Sequence, residues 1–293
     1  VEVTRRTAMA ATLAAGSAGA ATAQPRGRAP AGAAALANCA VNLDTWFTQH
    51  PFEQRFALAA KLGFKKLEFW PARRDGFNAA RIRKLADDAG LVVEQFAPGA
   101  PAFSDPGKHP ELMRYIEEAI ADARTLGCRH FTVVGHAVIP DMSREDMVAG
   151  YTAGLMRIAP VLEKAGMVAL VEPFNRVNHQ NHLLNGSRPA VAMIRAVNSP
   201  AVKLNWDFYH MQLEDGDLID KFAAAQDAVG YVQIGDNPGR HEPGTGEVHH
   251  GNLLRAVRRV GYKGAIGLEF FPADKNDERA ARTMAALAAE VNL

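Results

Sequence analysis

The chain has 293 residues, 33 of them basic and 32 acidic, a formal charge of +1 and 48% hydrophobic residues. That length holds one large domain or two small ones around a sizeable core, and two cysteines are too few for a disulfide-stapled scaffold. The near-zero charge supplies no basic field for nucleic acid, and no apolar stretch in the body of the chain approaches the ~20 residues that span a bilayer, so a soluble enzyme or small-molecule binder is expected.

Thr4-Arg5-Arg6 precedes a weakly apolar, alanine-rich run, and Ala21-Thr22-Ala23 has the small-residue form of a cleavage site. A charged start, a short apolar middle and an A-x-A end predict a secretory signal over residues 1–23. The paired arginines predict twin-arginine export, hence a periplasmic or secreted protein. Residues 24–36, rich in Pro, Gly and Ala, read as a linker, and the folded domain is expected over residues 37–293.

From there, short apolar runs alternate with segments of helical periodicity. Strands are predicted at 37–42, 66–69, 91–96, 130–134, 167–172, 202–206, 231–234 and 265–269. Helices are predicted at 52–62, 79–89, 110–126, 145–165, 188–197, 218–228 and 253–260. Gly63, Gly90, Gly127, Gly166 and Gly261 stand where helices close, because glycine accepts the left-handed backbone that ends a helix. Pro51, Pro110 and Pro189 stand where helices begin. Eight βα units in roughly 250 residues is the count of a (β/α)8 TIM barrel in a single α/β domain. The rival doubly wound sheet calls for a G-x-G-x-x-G after the first strand, which the chain lacks. Cys39 falls on the first strand and Cys128 just before the fourth, strands that are not neighbours in the barrel, so the two are expected to be unpaired.

A TIM barrel places its chemistry at the C-terminal ends of its strands. The fifth strand ends in Glu172, the sixth leads into Asp207, the seventh carries Gln233 and the eighth ends in Glu269. Adjacent strands lie under ~5 Å apart, so these four side chains can converge. Three carboxylates packed together repel one another and are costly to desolvate, and a divalent cation relieves both costs. Oxygen-only donors suit Mg²⁺ or Mn²⁺ better than zinc, with Co²⁺ also open. The plainer alternative makes each acid separately a helix N-cap or an ion-pair partner.

Four segments resemble the hydroxypyruvate isomerase family: Val171-Glu172-Pro173-Phe174-Asn175, Asp207-Phe-Tyr-His210-Met211, Gly264-Ala-Ile-Gly-Leu-Glu269-Phe, and the run from Val232 through Arg240 and Pro243 to Glu247. That family belongs to the xylose-isomerase-like barrels, with the ketose 3-epimerases. The Pro-Gly-Thr-Gly-Glu stretch at 243–247 leans to the isomerase branch, as does Gln233, where the epimerases usually carry histidine. The resemblance implies a divalent metal held by Glu172, Asp207, Gln233 and Glu269, and proton movement by Glu172 and Glu269. It also implies an aldose–ketose type isomerase, converting hydroxypyruvate to tartronate semialdehyde or acting on a related oxo sugar acid.

The chemistry is consistent with those residues. Isomerising an α-hydroxy carbonyl removes a proton beside C=O and returns it to the neighbouring carbon; a metal stabilises the enediolate and carboxylates move the proton. His210, three residues after Asp207, is expected to reach a substrate oxygen, and Arg240 to take a substrate carboxylate by a bidentate fork. Glu247 is expected to hold the same loop as Arg240, and Glu68 and His136 to line the far wall. Asn175, Arg176, His179 and His182 fall in the loop after the fifth strand, beside the substrate. Gly244-Thr-Gly246 reads as a turn rather than a phosphate cradle. Two other classes stay open: a ketose or cyclitol epimerase or isomerase with the same proton shuttle, and a non-catalytic periplasmic sugar-acid binder, against which the paired glutamates argue. A three-zinc nuclease on the same barrel is disfavoured by the few histidines at strand ends. The expected partner is a small hydroxy-oxo acid or sugar, and a homo-oligomer is left open.

Overall fold

Strand and helix alternate along the chain as β1 (Cys39–Asn42), α1 (Phe52–Lys61), β2 (Lys66–Phe69), α2 (Ala79–Ala89), β3 (Val92–Phe96), α3 (His109–Leu126), β4 (His130–Val134), α4 (Arg144–Ala165), β5 (Val168–Glu172) and α5 (Ser187–Val197). They continue as β6 (Val202–Asp207), α6 (Phe208–Glu214), α7 (Leu218–Ala225), β7 (Val229–Ile234), α8 (His250–Arg259), β8 (Ile266–Leu268) and α9 (Asp277–Glu290). The structure, a computed structural model, describes residues 35–70 and 76–293. The predicted signal and residues 24–34 of the predicted linker lie outside the described residues.

The strands pair in parallel in chain order, and β1 pairs with both β2 and β8, which closes the barrel. This is a single-domain TIM barrel. Strands covered on both faces read as continuous apolar runs rather than alternating ones, and β1 is buried at every position. Gly90, Gly127 and Gly166 close α2, α3 and α4 in left-handed backbone, at φ of 66°, 75° and 71°. At the other ends, Asn78 and Ser143 accept the N–H groups of Arg81 and Asp146 and so cap α2 and α4. The main core lies between strands and helices, with Trp46, Phe56, Phe64, Phe69, Phe96 and Phe131 fully buried.

Two helices lie outside the seven ranges read from the sequence. α6 follows β6 with no loop, because Asp207 is at once the last strand residue and the helix cap, its Oδ1 accepting the Tyr209 N–H at 2.9 Å. α9 opens on Asn276, whose side chain accepts the Arg279 N–H, and it packs against the short 3-10 turn Ala35–Asn38. Leu36, at the end of the predicted linker, is buried in the core. Among the described residues no helix is long and apolar enough to cross a membrane.

Cys39 on β1 and Cys128 before β4 are free, as expected of strands that do not pair. Burial pushes both thiols up to about 12. An aromatic disulfide reagent at pH 8 should therefore find no thiol in the native protein and both after unfolding. A native titre, or a Cys39–Cys128 peptide in the non-reduced mass map, would contradict this.

Candidate active site

Glu172 ends β5, Asp207 ends β6, Gln233 lies in β7 in register with Asp207 and Gly267, and Glu269 follows β8. All four are buried. Glu172, Gln233 and Glu269 line a cavity of about 250 Å³, together with Trp70, Gln95, Thr132, Phe174, His179, His210 and Arg240. Asp207 meets it through Arg240 and His210.

Arg240 is the cation of this cluster. Its Nη2 donates to Asp207 Oδ2 at 2.5 Å and to Glu269 Oε1 at 2.6 Å, and its Nε donates to the Glu269 carbonyl at 3.0 Å. The guanidinium carbon also lies 4.8 Å from the centre of the Tyr209 ring. The expected substrate fork thus already spends donors on the acids. Burial works against the guanidinium charge, but Glu269, Asp207 and Glu172 outweigh it and hold its pKa above the ordinary value.

Three carboxylates against one guanidinium leave two surplus negative charges, and the acids show the strain. Burial first, then repulsion by Glu269 and Asp207, lifts Glu172 well above the carboxylate range. Burial raises Glu269 to about 8 even with Arg240 pulling the other way. Asp207 is raised by burial against the same guanidinium. Among the described residues Glu172 Oε1 is buried with no hydrogen-bond partner, an arrangement that costs free energy unless a cation faces it.

Glu172, Asp207 and His210 each offer a ligand atom within 4.8 Å of the others. The tautomer of His210 decides its part. Asn175 Oδ1 accepts the Asn178 N–H at 2.8 Å, which fixes that amide and leaves Asn175 Nδ2 to donate to His210 Nδ1 at 2.7 Å. The ring hydrogen therefore sits on Nε2. Burial, then Arg240, hold the His210 pKa well below its ordinary value, so the ring is neutral. Nε2–H lies 3.7 Å from Glu172 Oε1 and 3.6 Å from Asp207 Oδ2 and has no lone pair for a metal. His210 is a donor, and the remaining oxygen donors suit a hard divalent cation.

Gln233 turns its amide nitrogen to Glu68 Oε1 at 2.8 Å and to Glu269 Oε2, while its oxygen accepts from Asn205 Nδ2 at 2.5 Å. Amide oxygen and nitrogen have the same shape, and a half-turn of the group exchanges them. As a metal ligand Gln233 would need that half-turn, which gives up its donations to Glu68 and Glu269 and requires Asn205 to turn in step.

Glu68, expected on the far wall, lies among the barrel strands and is fully buried. Its carboxylate accepts from Asn42 Nδ2 at 3.1 Å, Gln95 Nε2 at 3.1 Å and Gln233 Nε2 at 2.8 Å. Burial raises its pKa and the amides pull it back. Thr132 donates to Gln95 Oε1 at 2.8 Å, so side chains of several strands join in a polar floor under the cavity. Gly267 makes room for it: a Cβ there would stand 2.7 Å from Gln233 Cγ and 2.8 Å from Glu68 Oε2.

His136, His182 and Glu247 sit outside the cavity lining. His136 is held by Ser104 Oγ at 2.6 Å and the Ala137 carbonyl at 2.7 Å. His182 faces the Leu184 carbonyl at 3.1 Å, with its ring centre 4.4 Å from that of Phe174. Glu247 does hold its loop, accepting from Gln212 Nε2 at 3.0 Å and Asn237 Nδ2 at 2.8 Å. His179 does reach the cavity, stacked 4.1 Å from Phe174. The sequence reading missed Trp70 and Phe174 as wall residues. Their signal was position: Trp70 directly follows β2, and Phe174 lies two residues past β5.

Residues 56–290 match the model of the xylose isomerase-like TIM barrel family. The chain belongs to this family. It is similar to the hydroxypyruvate isomerase of Escherichia coli K12, at 31% identity over 237 residues, covering 79% of this chain and 92% of that protein. The similarity to the 2-oxo-tetronate isomerase of Cupriavidus necator is 31% over 242 residues, covering 80% and 92%. Among solved structures, an AP endonuclease of family 2 from Brucella melitensis superposes with a TM-score of 0.79 at 29% identity, over 85% of this chain and 98% of that one. Isomerase is the enzyme class this chain shares with its curated relatives.

Proposed function

We propose that the chain is a divalent-cation-dependent isomerase that moves a carbonyl between neighbouring carbons of a small hydroxy-oxo acid, hydroxypyruvate to tartronate semialdehyde or a related 2-oxo sugar acid. The observation that carries this reading is the clustering of three buried carboxylates around a small cavity with one guanidinium, which pairs with two of them and leaves Glu172 Oε1 without a partner among the described residues. With their protons released, the three acids would carry two negative charges beyond Arg240, which one divalent cation would balance. Glu172, Asp207, Glu269 and, after its half-turn, Gln233 would hold it. When bound, such an ion supplies Lewis-acid stabilisation of the negative charge that develops on the two substrate oxygens.

The chain's own groups then account for the proton. Glu172 and Glu269 enter from strands separated in the barrel by β6 and β7. One takes the proton from the carbon beside the carbonyl, and the other delivers one to its neighbour; the roles exchange with reaction direction. His210 Nε2–H can donate to a substrate oxygen without competing for the cation. Burial of the acids keeps these charges in a low-dielectric setting where each interaction is strong. The leader with Arg5-Arg6 supports export of the folded enzyme to the periplasm.

Incubation of Mn²⁺- or Mg²⁺-loaded protein with hydroxypyruvate in deuterium oxide tests the reading. We expect deuterium at the carbon beside the carbonyl and tartronate semialdehyde as product, both visible by proton NMR. Exchange confined to neutral ketoses would move the assignment to the epimerases, and no exchange with any short hydroxy-carbonyl compound would overturn both.

A further inference from the structure

We propose that Asp236 is a positioning residue that sets Arg240 among the acids; the inference rests on the placement of Arg240 in the proposed active site. Asp236 lies just past the end of β7 and is fully buried, yet it does not line the cavity. Its Oδ1 accepts the N–H groups of Asn237 at 2.9 Å and Val248 at 3.1 Å. Its Oδ2 accepts those of Gly244 at 2.8 Å and Gly246 at 2.9 Å. His250 Nδ1 approaches to 4.0 Å from α8. One carboxylate thus replaces the regular backbone pairing that the segment between β7 and α8 lacks.

The glycines of the Gly-Thr-Gly stretch follow from this. A Cβ on Gly246 would stand 2.1 Å from the Asn237 carbonyl oxygen and 2.7 Å from Asp236 Oδ1, and Gly244 has a φ of +89°. The amides that a phosphate cradle would offer outward are turned inward onto Asp236.

Arg240 lies within the stretch so folded. The Asp236 N–H donates to the His241 carbonyl at 2.9 Å, and the Phe271 N–H donates to the Arg240 carbonyl at 2.8 Å. Between these two anchors the Arg240 backbone has a φ of +54°, a left-handed conformation that a residue with a side chain seldom adopts unheld. That backbone aims the guanidinium at Asp207 and Glu269. Asp236 therefore acts on the site through Arg240, whereas Asp207 and Glu269, at the ends of β6 and β8, are held by the barrel itself.

The test substitutes Asp236→Asn, which keeps the shape but turns one acceptor into a donor facing N–H groups. We expect the Arg240 Nε–H signal in a ¹H–¹⁵N spectrum, identified by its loss in Arg240→Met, to move or broaden. Hydrogen exchange should quicken over residues 237–249, and Mn²⁺ affinity should stay within about threefold. Catalytic efficiency should fall by roughly 10²-fold, the scale expected of a misplaced group, and Asp236→Asn should add less than about threefold in the Arg240→Met background. An unmoved Arg240 signal, or the full loss repeated on top of Arg240→Met, would overturn the proposal. Failure of the functional reading shows separately, as a wild type without turnover, and the spectroscopic arm then still decides the role of Asp236.

Discussion

Glu172→Gln should lower the rate of deuterium entry into substrate by about 10²–10⁴-fold, the range that a positioned acid or base contributes. The substitution is informative because Glu172 Oε1 has no hydrogen-bond partner to lose among the described residues. The amide preserves shape and removes the basic oxygen. Glu269→Gln should abolish exchange as well, but it disturbs more: Glu269 Oε1 receives Arg240 and Oε2 receives Gln233, so one of the two donors meets an amide NH₂. Asp207→Asn should act mainly on the cation, raising the Mn²⁺ dissociation constant by at least tenfold, because Oδ1 caps α6 and only Oδ2 faces the site. Exchange at the wild-type rate in either glutamine variant would refute the proton roles.

Much of this site could be read from the chain because strand ends are local features. Glu172, Asp207, Gln233 and Glu269 each follow an apolar run, and barrel closure brings successive strand ends together. Asp207 shows both forms of the plainer reading, one oxygen capping a helix and the other pairing with Arg240. The polar floor was illegible for the opposite reason. Asn42, Gln95, Thr132 and Asn205 come from four different strands, and only register makes them one network around Glu68 and Gln233. Arg240 was visible as a loop arginine, but its partners depend on a left-handed backbone and a buried carboxylate four residues earlier. His136 and His182 looked like site residues by type. Both nitrogens of His136 are taken up, by Ser104 and the Ala137 carbonyl, and Nδ1 of His182 faces the Leu184 carbonyl, facts about loop packing that spacing does not encode.

The surplus of buried acid should also make the chelated protein lose stability as pH rises, against the usual trend for carboxylates. Glu269 is raised to about 8 in the fold from an unfolded value of 4.5, and Glu172 is raised well above the same reference. Between those limits the native state holds protons that the unfolded chain has released. Stability from this source is complete below the unfolded value and is lost as pH climbs through the folded one, at about 1.4 kcal/mol per pH unit for each proton retained. The buried histidines His182, His210 and His250, and the partly exposed His130 and His179, have lowered values and act in the opposite sense, but mainly below their ordinary value of 6.5. The window from pH 7 to 8 therefore isolates the acids. Denaturant unfolding with excess chelator should show a fall of about 1–2 kcal/mol across it. Saturating Mn²⁺ should remove that fall, since the cation takes the place of the protons, and should add about 2.7 kcal/mol at a hundred times its dissociation constant. Arg240→Met, which deletes the guanidinium between Asp207 and Glu269, should steepen the slope without cation and leave the Mn²⁺-loaded slope flat. A chelated protein whose stability rises from pH 7 to 8, or one that Mn²⁺ stabilises equally at both ends of the window, would mean that these carboxylates do not share a cation site.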